Sequence, residues 1–249
     1  MPFSAKNKRA EVVLESELRT ETGSVKNRRA EVYRSGFSLV IFCFAFLRFS
    51  EGSGKPILNN GGFELRPGQS VSINAPPGWS GRFWDRRGCS FDASGKGTCV
   101  TGDCGGDLQC AGAGGARPTK LAEFTLGSPL DFYGVSIVDG YDLTGLIVPV
   151  GGSGICKPIK CISDLNRSCP RVLQVRNNKK RVVACKSACM AFSTYWFCCA
   201  GVFGSPKPCK PAAYPSAFKA ACPTAHSYAY DDATSTFTCK GANYLVSFC

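Results

Sequence analysis

The chain has 249 residues, among them 16 Cys, 28 Gly, 15 Pro, 2 Met and a single His, and 44% of it is apolar, which allows a buried core and excludes a disordered chain. One His excludes a multi-histidine metal centre and makes a Ser-His-Asp triad improbable, and no run of ~18 apolar residues is present to cross a membrane as a helix. The net charge of +12 favours anionic surfaces without any nucleic-acid-binding motif, while cysteines without histidine partners point to disulfides and an oxidising compartment.

Residues 1–36 are charged and free of Cys. Lys6-Asn7-Lys8-Arg9-Ala10-Glu11-Val12 recurs imperfectly as Lys26-Asn27-Arg28-Arg29-Ala30-Glu31-Val32, too widely spaced for a heptad and too few for a solenoid. The segment reads as a disordered or misassigned N-terminal extension before a domain spanning 37–249. The apolar run Phe37–Leu47 follows Arg34 and has two readings. It is either a secretory signal remnant, though no small-x-small cleavage site follows, or the first strand of the fold.

Beyond Asn59, period-two alternation predicts strands over Val71–Ala75, Ala122–Leu126 and Thr234–Thr238. Turn signals such as Asn60-Gly61-Gly62, Pro76-Pro77-Gly78 and Asp139-Gly140 separate such runs. Segment 185–220 has helix-compatible composition, with Cys185 and Cys189 predicted on one helix face. The expected fold is mainly β. An antiparallel β-sandwich or flattened barrel covers about 37–86, 118–162 and 223–249. A disulfide-stapled loop region covers about 87–117, and a smaller, partly helical, disulfide-rich lobe covers about 163–222.

Gly95-Lys96-Gly97-Thr98-Cys99-Val100-Thr101-Gly102-Asp103-Cys104-Gly105-Gly106-Asp107-Leu108-Gln109-Cys110 is a long and specific pattern. With it stand Gly81-Arg82-Phe83-Trp84, Leu121-Ala122-Glu123-Phe124, Asp131-Phe132-Tyr133, Val138-Asp139-Gly140 and Tyr230-Asp231-Asp232-Ala233-Thr234-Ser235-Thr236-Phe237-Thr238-Cys239. On these residues the chain resembles the thaumatin-like, pathogenesis-related plant proteins over about 57–249. The resemblance implies the bridges Cys89–Cys99, Cys104–Cys110, Cys156–Cys239, Cys161–Cys222, Cys169–Cys185, Cys189–Cys198 and Cys199–Cys209. It also implies that the first cysteine closes the amino-terminal strand onto the last, here Cys43 onto Cys249. Phe37–Cys43 resembles the opening strand, but its Asn is missing and no Trp-Pro turn follows.

The resemblance further implies an acidic cleft between core and lobe. The matching residues are Arg82, Glu123, Asp139 and Asp231, with Gly134 standing where a further Asp is usual. Glycoside hydrolysis needs one carboxylic acid and one carboxylate. Glu123 is the candidate acid and Asp139 the candidate base, with Arg82 holding the cleft and Asp231 contacting sugar hydroxyls. The plainer readings are a solvated strand Glu, an ordinary Asp-Gly turn, a turn-capping Asp231 and an Arg82 stacked on aromatics. Positions 134 and 139 reach one cleft only if a turn or bulge intervenes. Trp79, Phe83, Trp84, Tyr133 and Tyr228 are either core or a platform for sugar rings. His226 reads as structural, Lys179-Lys180-Arg181 as a solvated loop, and Asn166-Arg167-Ser168 as a glycosylation sequon.

The implied function is a secreted, monomeric defence or stress protein of apoplast or vacuole. It would bind fungal cell-wall β-1,3-glucan or perturb fungal membranes, without metal, cofactor or nucleic acid. The alternatives are a weak endo-β-1,3-glucanase and an inactive, diverged copy.

Overall fold

In the computed structural model of the chain, the described residues are 10–16, 41–46, 57–66, 68–127 and 129–248. Two sheets dominate. The first runs β11 (Ile159–Cys161), β10 (Gly145–Val150), β16 (Asn243–Phe248), β1 (Ala10–Ser16) and β4 (Ser70–Ala75). The second runs β14 (Ala225–His226), β9 (Asp131–Ser136), β8 (Leu121–Thr125), β5 (Ser80–Arg87), β2 (Ile41–Phe46) and β3 (Phe63–Leu65), with β15 (Phe237–Cys239) also paired to β9. Among the described residues both sheets keep open edges, and the core they form is a sandwich.

Alternation decides which side of each strand meets the other sheet. In β8, Ala122 and Phe124 are buried while Glu123 is half-buried and Thr125 exposed. Phe124 meets Tyr244 of the opposite sheet with ring centroids 5.2 Å apart, and Tyr133 meets the same ring at 5.2 Å. Burying each such ring stabilises the fold by roughly 2–3 kcal/mol. The Tyr244 hydroxyl also donates to the Asp131 carboxylate across the sandwich, at 2.9 Å.

Two elements depart from expectation, Ala10–Ser16 and Thr234–Ser235, and a third, Ile41–Phe46, follows the strand reading. Ala10–Ser16, inside the segment read as an extension, forms β1 and lies parallel to β16, with Val12 buried. Ile41–Phe46 forms β2 between β3 and β5, so part of the Phe37–Leu47 run lies within the sheet. Phe37–Val40 and Cys249 lie outside the described residues, as does the Cys43–Cys249 pairing. Thr234 and Ser235 are helical, in α5 (Asp232–Ser235), and only Phe237–Cys239 is extended. The Thr234 hydroxyl donates to Asp231 at 3.1 Å, and the local bond wins over alternation.

The lobe holds α1 (Leu165–Ser168), α2 (Ala188–Phe192), α3 (Tyr195–Cys198), α4 (Ala213–Ala221) and a ribbon of β12 (Gln174–Arg176) and β13 (Val182–Cys185). Cys185 is therefore in a strand and does not share a helix face with Cys189. Reciprocal main-chain bonds to Tyr141, at 2.9 and 2.7 Å, hold it extended. Ser187 caps α2 by accepting from Met190 N, and Thr194 caps α3 by accepting from Phe197 N.

The bridges Cys89–Cys99, Cys104–Cys110, Cys156–Cys239, Cys161–Cys222, Cys169–Cys185, Cys189–Cys198 and Cys199–Cys209 are formed. Each contributes about 2–4 kcal/mol, mainly by restricting the unfolded chain. Adjacent Cys198 and Cys199 serve different partners because Cys199 turns left-handed, at φ 50°, as α3 ends.

The loop region 87–117 carries its own ribbon, β6 (Ser90–Phe91) and β7 (Gly97–Thr98). Asp103 organises it, accepting from the main-chain N–H groups of Cys99, Gly105 and Gly106 at 3.1, 3.1 and 2.9 Å. Gly102 adopts φ +66°, and a Cβ there would stand 2.5 Å from the Asp85 carbonyl, so the motif needs glycine at that point.

Candidate carbohydrate-facing site

Arg82, Glu123 and residue 134 are cross-strand partners on β5, β8 and β9, so they share one face of the second sheet. It is the face turned away from the sandwich interior, because Phe83, Phe124 and Tyr133 alternate with them and are buried. The Arg82 Nε stands 2.8 Å from the Glu123 carboxylate, and both side chains are about a third exposed, at 29% and 32%. Next in the row is Gly134, then the His226 ring. His226 Nδ1 lies 3.3 Å from the Val135 carbonyl, and Nε2 lies 3.1 Å from the Thr236 hydroxyl and 3.4 Å from Asp232.

Asp139 lies past the end of β9, in a turn closed by a 3.1 Å bond from Gly140 N to Ile137 O. This is the intervening turn that parity requires. The carboxylate is held by Arg117 at 3.2 Å. Arg117 also lines a hollow of about 440 Å³ against the lobe, walled by Met190, Ser193, Tyr195, Ala200 and the Cys189–Cys198 bridge. Tyr195 stands 66% exposed there.

Asp231 is a brace. It is buried, and its oxygens accept from the Ser227 N–H and hydroxyl at 2.9 and 3.0 Å, from Thr234, and from Lys219 at 3.0 Å. Burial pushes its acid up, but these donors outweigh burial and hold it below the ordinary Asp value. Lys219 also donates to the Ala225 carbonyl and the Ser235 hydroxyl, at 3.1 and 2.6 Å, fastening α4 to the segment that carries His226. Three donors converge on Oδ2 and one on Oδ1.

Of the two readings of the aromatic residues, the core one describes four of the five. Trp79, Phe83, Trp84 and Tyr133 are buried as core, and only Tyr228 is half-buried. Composition predicts aromatic residues but not which face of a strand is covered. Sequence reasoning missed Arg117, Lys219 and Tyr195. It also missed a buried charge cluster of Asp85, Asp142 and Lys120, with Arg87 donating to the Asp142 carbonyl at 3.0 Å. Its one local signal is Asp85-Arg86-Arg87 directly after Phe83-Trp84 in a strand.

Asn166 donates from Nδ2 to the Asp142 carbonyl at 2.7 Å, and its Oδ1 is buried. A glycan on that nitrogen forfeits the bond and forces its attachment point out of the packed interior. Intact mass of the oxidised protein is expected to show no glycan on Asn166. A hexose-bearing peptide mapped to that residue overturns this.

The sandwich, the seven bridges and the polar row on the outer sheet face define a disulfide-stapled β protein. The chain belongs to the Thaumatin family, whose pattern matches residues 45–249. It is 60% identical over 198 residues to a thaumatin-like protein of Arabidopsis thaliana, covering 79% of this chain and 82% of the relative. It is equally 60% identical over 198 residues to pathogenesis-related thaumatin-like protein 3.5 of Cryptomeria japonica, covering 80% and 82%. Among solved structures, a laminaripentaose-producing β-1,3-glucanase in complex with laminaritetraose shares the fold at a TM-score of 0.61 and 11% identity, over 96% of this chain and 98% of that one.

Proposed function

We propose that this protein is a secreted plant defence or stress protein that binds β-1,3-glucan of fungal walls between its β core and its helical lobe, as a monomer and without catalysis. The observation that carries the binding reading is the partly exposed pair of Arg82 and Glu123 beside Gly134 on the outer face of the second sheet. Such a polar pair suits sugar hydroxyls, and an exposed ring such as Tyr195 in the lobe hollow suits a pyranose face. The net charge of +12 favours approach to anionic wall or membrane surfaces.

Hydrolysis is the weaker reading. Glu123 and Asp139 are the acid and base it would use, and each is engaged by a guanidinium, at 2.8 and 3.2 Å. Gly134 removes a further carboxylate from the row. The seven bridges support secretion into an oxidising compartment such as apoplast or vacuole. No helix among the described residues is long and apolar enough to cross a membrane.

The test is retention on insoluble β-1,3-glucan with reducing-sugar release assayed in parallel. Retention without release is expected, weakened about tenfold by Glu123→Gln, a loss of ~1.4 kcal/mol. Release that disappears in Glu123→Gln establishes the glucanase instead. A protein that is neither retained nor active matches the inactive copy.

A further inference from the structure

Gly134 and His226 fit one another. A Cβ at position 134 would stand 2.9 Å from Cε1 and 3.3 Å from Nδ1 of His226, and 3.1 Å from the Ser235 carbonyl. The imidazole therefore fills the volume that a side chain at 134 would need, next to Glu123 in the row. Its proton placement follows from its partners. The Val135 carbonyl only accepts, so Nδ1 carries the hydrogen. In the neutral ring Nε2 is then a lone pair accepting from the Thr236 hydroxyl at 3.1 Å. That hydroxyl has one hydrogen, so giving it to Nε2 withdraws it from the Asp232 carboxylate 3.5 Å away; this carboxylate, 3.4 Å from the same nitrogen and 73% exposed, is then left to solvent or ligand. In the protonated ring Nε2 becomes a donor, and Asp232 is its charged acceptor.

The other charged groups around the ring are already matched. Glu123, across Gly134, is paired with Arg82. Asp231 is paired with Lys219, which comes from α4. Gly134, Val135 and Ser136 of β9 carry no charge. Tyr228, held above the ordinary tyrosine value by burial and by Asp231 and Asp232, stays neutral. His226 and the Asp232 carboxylate are left facing one another.

We infer that His226, seated over Gly134, is the residue that ties saccharide binding in this row to pH: the neutral ring leaves the Asp232 carboxylate to accept sugar hydroxyls, and the protonated ring takes that acceptor for itself. The ligand class is a neutral polyhydroxylated saccharide that donates to a carboxylate. This rests on the carbohydrate-binding reading above. Linkage makes the effect reciprocal, so bound saccharide opposes protonation of the ring.

His226 is the chain's single histidine, so imidazole NMR signals need no assignment. The probe is laminarihexaose, titrated into the full disulfide-bonded protein by calorimetry and NMR at about pH 5 and about pH 7.5, either side of the ordinary histidine range. Expected are tighter binding at the higher pH, by about fivefold or more, and imidazole shifts that follow saturation, with the ring's titration midpoint displaced downward by sugar. Asp232→Asn, at an exposed position, and His226→Gln are each expected to bind equally at the two pH values, whatever the affinity. Calorimetric binding that leaves the imidazole signals unmoved overturns the proposal and spares the binding reading. So does a pH dependence that survives in Asp232→Asn. Absence of calorimetric binding at both pH values overturns both together.

Discussion

Asp85→Asn is expected to raise stability at and above neutral pH and to leave it nearly unchanged in acid. Asp85 is fully buried in β5, and neither carboxylate oxygen has a hydrogen-bond partner among the described residues. Burial, and then the nearby Asp142, push its acid up to about 8 from an ordinary 3.8, against smaller opposing pulls from Lys120 and Arg87. Between these two values the folded protein holds a proton that the unfolded chain has released. Stability therefore falls as pH rises through that window, at up to about 1.4 kcal/mol per pH unit, and is lowest above it. Asparagine keeps the shape of the protonated acid at every pH. Urea unfolding of the oxidised protein at about pH 4.5, near the lower end of the window, and about pH 8.5, above its upper end, reads the difference. Wild type is expected to lose several kcal/mol between the two, and the variant far less. Parallel losses in both proteins would sink the assignment of this pH dependence to Asp85. The surroundings support it, since Asp142 already has the main-chain N–H groups of Lys120 and Leu143 and the Thr119 hydroxyl as donors, at 3.0, 3.1 and 3.2 Å.

Arg86→Leu is expected to cost about 3–5 kcal/mol and to loosen the loop region 87–117. Arg86 is fully buried, and its guanidinium donates to the carbonyls of Asp107 and Leu108 at 2.6 and 2.7 Å. It lies over the Phe91 ring at 4.8 Å and reaches the sulfur of Cys104 at 3.1 Å. Burial pulls its pKa down to about 10, against the pull of Asp103 and Asp107, so it stays charged across the physiological range. Leucine fills much of the volume but leaves two carbonyls without their donor. Arg86→Lys restores one of them at most, because an ammonium lacks the fork, and an intermediate loss is expected. Limited proteolysis of the oxidised protein, with fragments mapped by mass, reads the loop directly. An Arg86→Leu protein with an unchanged unfolding midpoint and an uncut loop would remove Arg86 as its anchor.

The alternation Ala122-Glu123-Phe124-Thr125 by itself places Glu123 opposite the core face, because a strand has only two faces and apolar residues take one. The residues between the cysteines, through the family they resemble, likewise carry the pairing of the seven bridges seen in the fold. The disulfide-rich, β-dominated class needed no more than composition and turn chemistry. Other features depend on packing that no local pattern records. Trp79, Phe83, Trp84 and Tyr133 are core because a second sheet covers them, and an aromatic residue reads the same in sequence whether or not a partner sheet arrives. Asp231 and Asp139 have similar turn contexts, yet one is enclosed by Lys219, Ser227 and Thr234 while the other meets only Arg117 at the surface. The fit of Gly134 to His226 joins residues far apart in the chain, brought together when β14 pairs parallel to β9. Strand identity and facing follow from short-range periodicity, whereas the partners of each polar side chain follow from which strands become neighbours, and that is decided by burial across the whole molecule.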